Sequence, residues 1–297
     1  MRNPAVAGMF YPAQPEQCQA ATRQLFETAQ AALASEGRAQ LPASAGLGAV
    51  VPHAGWICSG AIAAEAIAAL ASQRPRVDLV VVLGAIHTPL PVDRGVLDSF
   101  ARWMVPSGES TVTSALRDEL SAKWSRFVID DRFHLREHAI EVELPLIQSV
   151  WPTAAILPVE MPPISQAVDL GRNIAETVKS MGLSAVYLAS SDLTHYGPNY
   201  QFTPAGIGEA GLKWALANDE RLLELIKSMS VEQIVPEVQA RYNACGGGAI
   251  AAMMSACQAA GAKQAVVLKH QNSFQTLSVI SPQPPTNAVG YAAVWVG

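Results

Sequence analysis

The chain has 297 residues, 50% of them hydrophobic and only 15% charged, so it can bury a large core and reads as globular throughout. Its net charge of −5, from 20 basic and 25 acidic residues, gives no basic footprint for nucleic acid or an anionic membrane. The longest apolar stretches are short or carry polar residues, no signal-like segment opens the chain, and the four cysteines are scattered; a reduced, soluble, cytoplasmic protein is expected.

Residues 1–13 set two prolines and a glycine around Phe10 and Tyr11, which suggests an irregular docking segment. Residues 15–37 then read as the first helix, and the loop 41–48 feeds the first strand. Four short apolar runs, at 49–52, 77–84, 154–161 and 184–191, have the character of buried strands. Alanine-rich or amphipathic segments at 61–70, 110–124 and 167–180 are predicted helices lying between or after them. This alternation predicts an α/β architecture, a mostly parallel or mixed sheet with helices on both faces. Two more helices are expected near 207–228 and 247–260, followed by late, antiparallel strands at 265–280 and 288–296. No linker or repeat divides the chain, so residues 1–297 are expected to form one domain.

Three of the strand-like runs end near a histidine: His53 in VPHAG, His87 in VVLGAIH, and His195 with Asp192 in SSDLTH. In an open α/β sheet, ligands bind in the crevice outside the carboxyl ends of the strands, so distant histidines delivered there can converge. Cys245 stands just before a predicted helix, where backbone N–H groups and the helix dipole favour a thiolate. Imidazoles, a carboxylate and a thiolate in one crevice point to a transition-metal site. A helical turn after the strand would place Asp192 and His195 face to face, so that Asp192 orients His195 or either residue binds metal. Ser190 and Ser191 read as helix-capping hydroxyls, and the three glycines after Cys245 would let backbone approach a ligand closely. Read as a helix, REHAIEVELPLIQ puts Glu137 and Glu141 on one face with His138 beside them, either a supporting carboxylate–imidazole network or a solvated acidic face. His134 and His270 have no organised neighbours in the sequence and are expected to be structural or surface residues. GIGEAG at 206–211 follows a polar, proline-containing segment and lacks the strand that a dinucleotide-binding fingerprint requires.

Taken in order, PAVAGMFYP, VPHAGWICSG, LGAIHTP, EHAIEVELP, SSDLTHYG and CGGGAI strongly resemble the Memo family, also called AmmeMemoRadiSam system protein B. The likeness runs from Pro4 to the C-terminal VGYAAVWV. It implies a three-layer α/β/α sandwich similar to the class III extradiol dioxygenases, whose non-haem iron lies at the strand ends. It further implies that His53, His87 and Cys245 are metal ligands and that Asp192 and His195 line the same pocket, with His195 as acid/base. A thiolate where the dioxygenases have a carboxylate moves the preference from iron toward copper or zinc, so ring cleavage is not simply inherited. The chain departs from the family pattern in having Gly after the cysteine motif where proline is usual, and Ala85 and Ile86 before His87. The expected function is metal-dependent, dioxygenase-like chemistry on an unknown small molecule, with iron or copper favoured. Two alternatives stand beside it: a Cys–His hydrolase using Cys245 with His195 and Asp192, and a module binding a peptide or a radical-SAM partner protein without catalysis.

Overall fold

The computed structural model describes residues 1–37, 41–280, 282 and 284–297. The four apolar runs form β1 (Gly48–Val51), β2 (Leu79–Gly84), β7 (Ala155–Glu160) and β8 (Ala185–Ser190). Short strands β3 (Gly95–Leu97), β6 (Phe127–Ile129) and β9 (His195–Tyr196) and the late β10 (Ala265–Asn272) and β11 (Ala288–Val296) complete a nine-stranded mixed sheet. Its order is β10-β11-β1-β8-β2-β7-β3-β6, with β9 added to β11. The centre, from β1 through β8 and β2 to β7, is parallel, while β11 runs antiparallel to both β1 and β10. A separate hairpin joins β4 (Arg102–Val105) to β5 (Gly108–Thr111).

Every residue of β1, β2 and β8 is buried, because both sheet faces are covered. Successive side chains point to opposite faces. Leu79, Val81 and Leu83 join one core with α5 (Ala167–Ser180), α6 (Glu209–Lys227), α7 (Val231–Arg241) and α8 (Gly247–Ala259). Val80 and Val82 join a second core with α1 (Pro15–Ala32), α2 (Trp56–Gln73) and α4 (Leu144–Val150). The result is the α/β/α sandwich. Helix α2 is long and apolar enough to cross a membrane by length and composition, yet most of it is buried against the sheet.

Four predicted elements take different forms. The helix expected over 110–124 is α3 (Ser114–Lys123) alone, since the β-branched run Thr111–Val112–Thr113 leaves the β4/β5 hairpin in extended backbone. The strand expected over 265–280 ends at Asn272, whose side chain accepts the Gln275 N–H while Gln275 reaches back to the Asn272 N–H. This capping box starts α9 (Ser273–Ser278). No helix follows Asp192; the chain enters β9 and pairs with β11. Residues 137–140 are not helical either, and only a 3₁₀ turn at Glu141–Glu143 precedes α4, with Pro145 in its first turn. Helix α7 carries Pro236 inside it, a residue that masks a helix from pattern reading.

Helices α5 and α8 cross closely at Gly171, where an added Cβ would sit 1.9 Å from the Ala252 carbonyl oxygen. Backbone cannot yield as a flexible side chain would. We expect Gly171→Ala to cost about 1–3 kcal/mol or more in urea unfolding, against the small gain that Ala brings to an unobstructed helix position.

Candidate metal centre

The parallel register levels the ends of three neighbouring strands: Val51 pairs with Ser190, and Ser190 with Gly84. His53 follows β1 by two residues, His87 follows β2 by three and Asp192 follows β8 by two, so all three emerge at one carboxyl edge. The sheet converts positions distant in sequence into one crevice.

His53 is almost wholly buried. Its Nδ1 lies 2.9 Å from Ser190 Oγ, and that hydroxyl donates its proton to the Ala139 carbonyl at 2.5 Å. Ser190 therefore accepts from His53 Nδ1–H, leaving the Nε2 lone pair free to act as a ligand. Burial holds the His53 pKa well below its ordinary value, with the neighbouring His87 and His138 rings acting in the same direction.

Glu137 governs the other two rings. Its carboxylate accepts the His87 main-chain N–H at 2.6 Å and His87 Nδ1–H at 2.8 Å, and also takes the His138 and Ala139 N–H groups at 2.8 and 3.1 Å. Side-chain bonds to successive N–H groups hold residues 137–140 out of helix. Burial alone would raise the Glu137 pKa, but the bonds from His138 and His87 outweigh it and keep the carboxylate ionised. For His87, burial works against the charged ring, while Cys245 and Glu137 outweigh it and move the pKa upward. His138 lies with Nδ1 3.2 Å from Glu137 Oε1, stacked on His87 at 4.6 Å between ring centroids and covered by Phe10 at 4.7 Å.

The three imidazoles place one ligand nitrogen each within 4.8 Å of the others, a set able to hold a metal ion. Cys245 Sγ lies 3.2 Å from His53 Nε2, so the thiol borders this cluster. Burial raises its pKa, while the neighbouring His87 ring pulls it the other way. The glycines after Cys245 serve packing: a Cβ on Gly246 would meet Ser191 Cβ at 2.7 Å, and the Gly246 N–H donates to Ser191 Oγ at 2.9 Å. Gly246 thus sits against the end of β8, while Gly247 packs on Val238 of α7 and Gly248 on the Pro162 carbonyl.

Asp192 orients His53 and not His195, since its Oδ1 accepts the His53 main-chain N–H at 2.9 Å. Burial lifts the Asp192 carboxyl to about 6, with His195 and the His53 N–H pulling downward. His195 donates Nδ1–H to its near neighbour, the Leu193 carbonyl, at 3.1 Å, which leaves Nε2 unprotonated. Burial lowers its pKa as well. Asp219 of α6 secures this loop by accepting the Thr194 N–H at 2.8 Å, and it pairs with His270, which thus has an organised partner after all. His195 and Cys245 border a cleft of about 760 Å³, together with Tyr200, Phe202, Val238 and Tyr242.

Of the residues singled out by sequence, His53, His87 and Cys245 meet, Glu137 supports them and His138 stands within the cluster. Glu141 does not belong to it. Its carboxylate pairs with the Arg2 guanidinium and accepts the Ala5 and Val6 N–H groups and the Tyr11 hydroxyl, all deeply buried or nearly so. Glu137 and Glu141 do not share a helix face, because no helix runs between them. His134 is structural, fully buried with Nε2 donating to the Val96 carbonyl. Ser190 reads from sequence as a capping hydroxyl but accepts from the His53 ring, and Phe10, whose only sequence signal is its place in the Met-Phe-Tyr-Pro docking segment, forms a wall of the site.

Fold and site together define an α/β protein with an imidazole cluster at the carboxyl edge of its sheet. A family model described as Memo-like protein matches residues 2–295, and the chain belongs to the Memo family. It is 33% identical over 300 residues to a MEMO1 family protein of Methanosarcina barkeri, covering 100% of both chains. A MEMO1 family protein of Nitrosopumilus maritimus is 30% identical over 299 residues, covering 99% of this chain and 98% of that one. An uncharacterized Escherichia coli K12 protein shares the fold at a TM-score of 0.55 and 9% identity, over 85% of this chain and 100% of that one.

Removing the charge of Glu141 leaves Arg2 buried without its partner. Glu141→Gln is expected to lose about 3–5 kcal/mol of unfolding free energy in chemical denaturation. A loss below about 1 kcal/mol would show that the clasp adds little.

Proposed function

We propose that this Memo-family chain holds a transition-metal ion on His53, His87 and Cys245, with His138 beside them, and uses it in redox or oxygenase-type chemistry on a small organic molecule. The observation that carries this reading is the preparation of the imidazoles. His53 commits Nδ1 to Ser190 and His87 commits Nδ1 to Glu137, which presents Nε2 of each ring as the available donor. Two or three imidazoles with a thiol suit copper, iron or zinc far better than calcium or magnesium. Once bound, the ion supplies a Lewis acid or a one-electron couple. The chain itself orients the ligands through Glu137 and Ser190 and offers His195 Nε2, at the cleft, as a proton acceptor.

The hydrolase reading has less support. The near partner of the Cys245 thiol is His53 and not His195, and burial raises the thiol pKa where a nucleophile needs it lowered. The cysteines are free, which suits a reducing cytoplasmic setting.

Protein purified anaerobically without an affinity tag and titrated with Fe(II), Cu(I) and Zn(II) tests the proposal. We expect stoichiometric uptake of one of these ions, abolished in His53→Ala and His87→Ala. Comparison of Cys245→Ala with His138→Ala identifies the third ligand, and Glu137→Gln should weaken binding by about 10–100-fold through loss of ring orientation. Wild type that takes up none of the three ions overturns the assignment. Each ligand must be deprotonated to bind, so affinity should fall as the pH is lowered from about 8 to about 6. A flat profile in the same titration would contradict imidazole and thiol ligation.

A further inference from the structure

The cleft beside Cys245 and His195 differs from the metal cluster in its chemistry. Its lining contains no Asp, Glu, Lys or Arg among the described residues, and His195 and Cys245 lie at its inner end. The rest is aromatic and aliphatic, with Tyr200, Phe202, Val238 and Tyr242 contributing, and two amides, Gln201 and Gln239.

The aromatic wall is braced from behind. Phe202 packs its ring at 5.7 Å from Trp214 and 6.3 Å from Tyr196, and Tyr242 extends the same cluster at 5.8 Å from Phe202. Tyr200 leans on His195 at 5.1 Å, so the aromatic surface continues to the inner end of the cleft. Phe202 and Tyr200 thereby connect a packed core to a side chain able to move a proton.

Two of the lining residues are also conformationally unusual. Gln201 and Tyr242 have φ of 52° and 53°, in the left-handed region that non-glycine residues seldom adopt. Of the three such residues among those described, two border this one cleft. Both end a helical turn, Gln201 after the 3₁₀ turn Pro198–Tyr200 and Tyr242 after α7, where the left-handed conformation is a common stop. Here it leaves Tyr242 largely exposed, 68% accessible, at a position where an aromatic ring lacks cover.

We infer that this cleft binds an uncharged, ring-bearing small molecule, whose flat apolar body lies on the Tyr200, Phe202 and Tyr242 surface and whose polar end meets His195 and Cys245. A carboxylate, sulfonate or phosphate would lose its hydration with no lysine or arginine in the lining to replace it. An aromatic body gains from both burial and ring contacts. This assignment rests on the proposed function in that it names the substrate class of the same site. Its chemistry is read from the cleft and not from the ion.

A matched pair of fluorescent probes tests it: phenylnaphthylamine, which is neutral, and anilinonaphthalene sulfonate, which has the same rings and a fixed negative charge. Each is titrated into the intact wild-type protein and into Tyr242→Asn and Tyr242→Asp, two residues that tolerate left-handed backbone. Circular dichroism and thermal melting confirm that the variants fold. We expect the neutral probe to bind at one site per chain, at least about tenfold tighter than the sulfonate. Its affinity should fall severalfold in Tyr242→Asn and about tenfold in Tyr242→Asp. Equal or tighter binding of the sulfonate, no binding of the neutral probe, or binding unchanged in both variants overturns the inference. Metal titration of the same variants separates the two claims. Probe binding that fails while metal uptake is intact refutes only the substrate class, whereas probe binding at the Tyr242 cleft without metal uptake refutes the metal reading and leaves the cleft standing.

Discussion

The buried carboxylate of Glu137 is the interaction on which the site depends. A buried ionised carboxylate is costly unless hydrogen bonds surround it, and this one receives the main-chain N–H groups of His87, His138 and Ala139 together with the His87 ring. Four donors on one carboxylate fix the loop after β2, the turn at 137–140 and the tautomer of His87 at once. The Glu137 main-chain carbonyl also accepts from the Arg2 guanidinium at 2.6 Å, so the N-terminal segment is tied to the same point. Arg2 in turn lies over Trp103 at 4.2 Å and pairs with Glu141. The clasp that stabilises the fold and the support of the imidazoles are thus one continuous polar network.

The sheet supplies the other half of the geometry. Parallel β1, β8 and β2 lie side by side in matching register, and each delivers a chemically active residue past its carboxyl end. Helix α8 could not bring Cys245 to that edge with side chains at its first residues, because Gly246 already packs against Ser191. Close backbone packing and a thiol next to His53 are two consequences of the same glycine run. On the other side, Phe10 covers His138, which explains why an irregular N-terminal segment is anchored so firmly by buried polar bonds.

Much of this was legible in the sequence, and the parts that were not share a cause. The buried strands announced themselves as β-branched apolar runs, and the histidines after two of them, with Asp192 after a third, located the crevice. Local pattern fails where side chains bind backbone. The turn at 137–140 has helical composition, but Glu137 spends its carboxylate on the N–H groups that a helix would use. Helical spacing would let Asp192 orient His195 or either residue bind metal, whereas the chain stays extended and the carboxylate accepts from His53, a residue 139 positions away in sequence. Glu141 looked like part of the site because its true partners, Arg2 and the amides of Ala5 and Val6, lie at the far end of the chain. Short strands β3 and β6 carry too few residues for alternation to register, and they are read only from the sheet that recruits them.

The most direct test of the account is X-ray absorption at the edge of the ion that the wild-type chain binds. The account predicts outer-shell scattering from at least two imidazole rings, with a sulfur neighbour at about 2.3 Å if the ion is zinc. A spectrum with oxygen ligands alone, free of imidazole scattering, would contradict the assignment of His53 and His87 and with it the proposed metal centre.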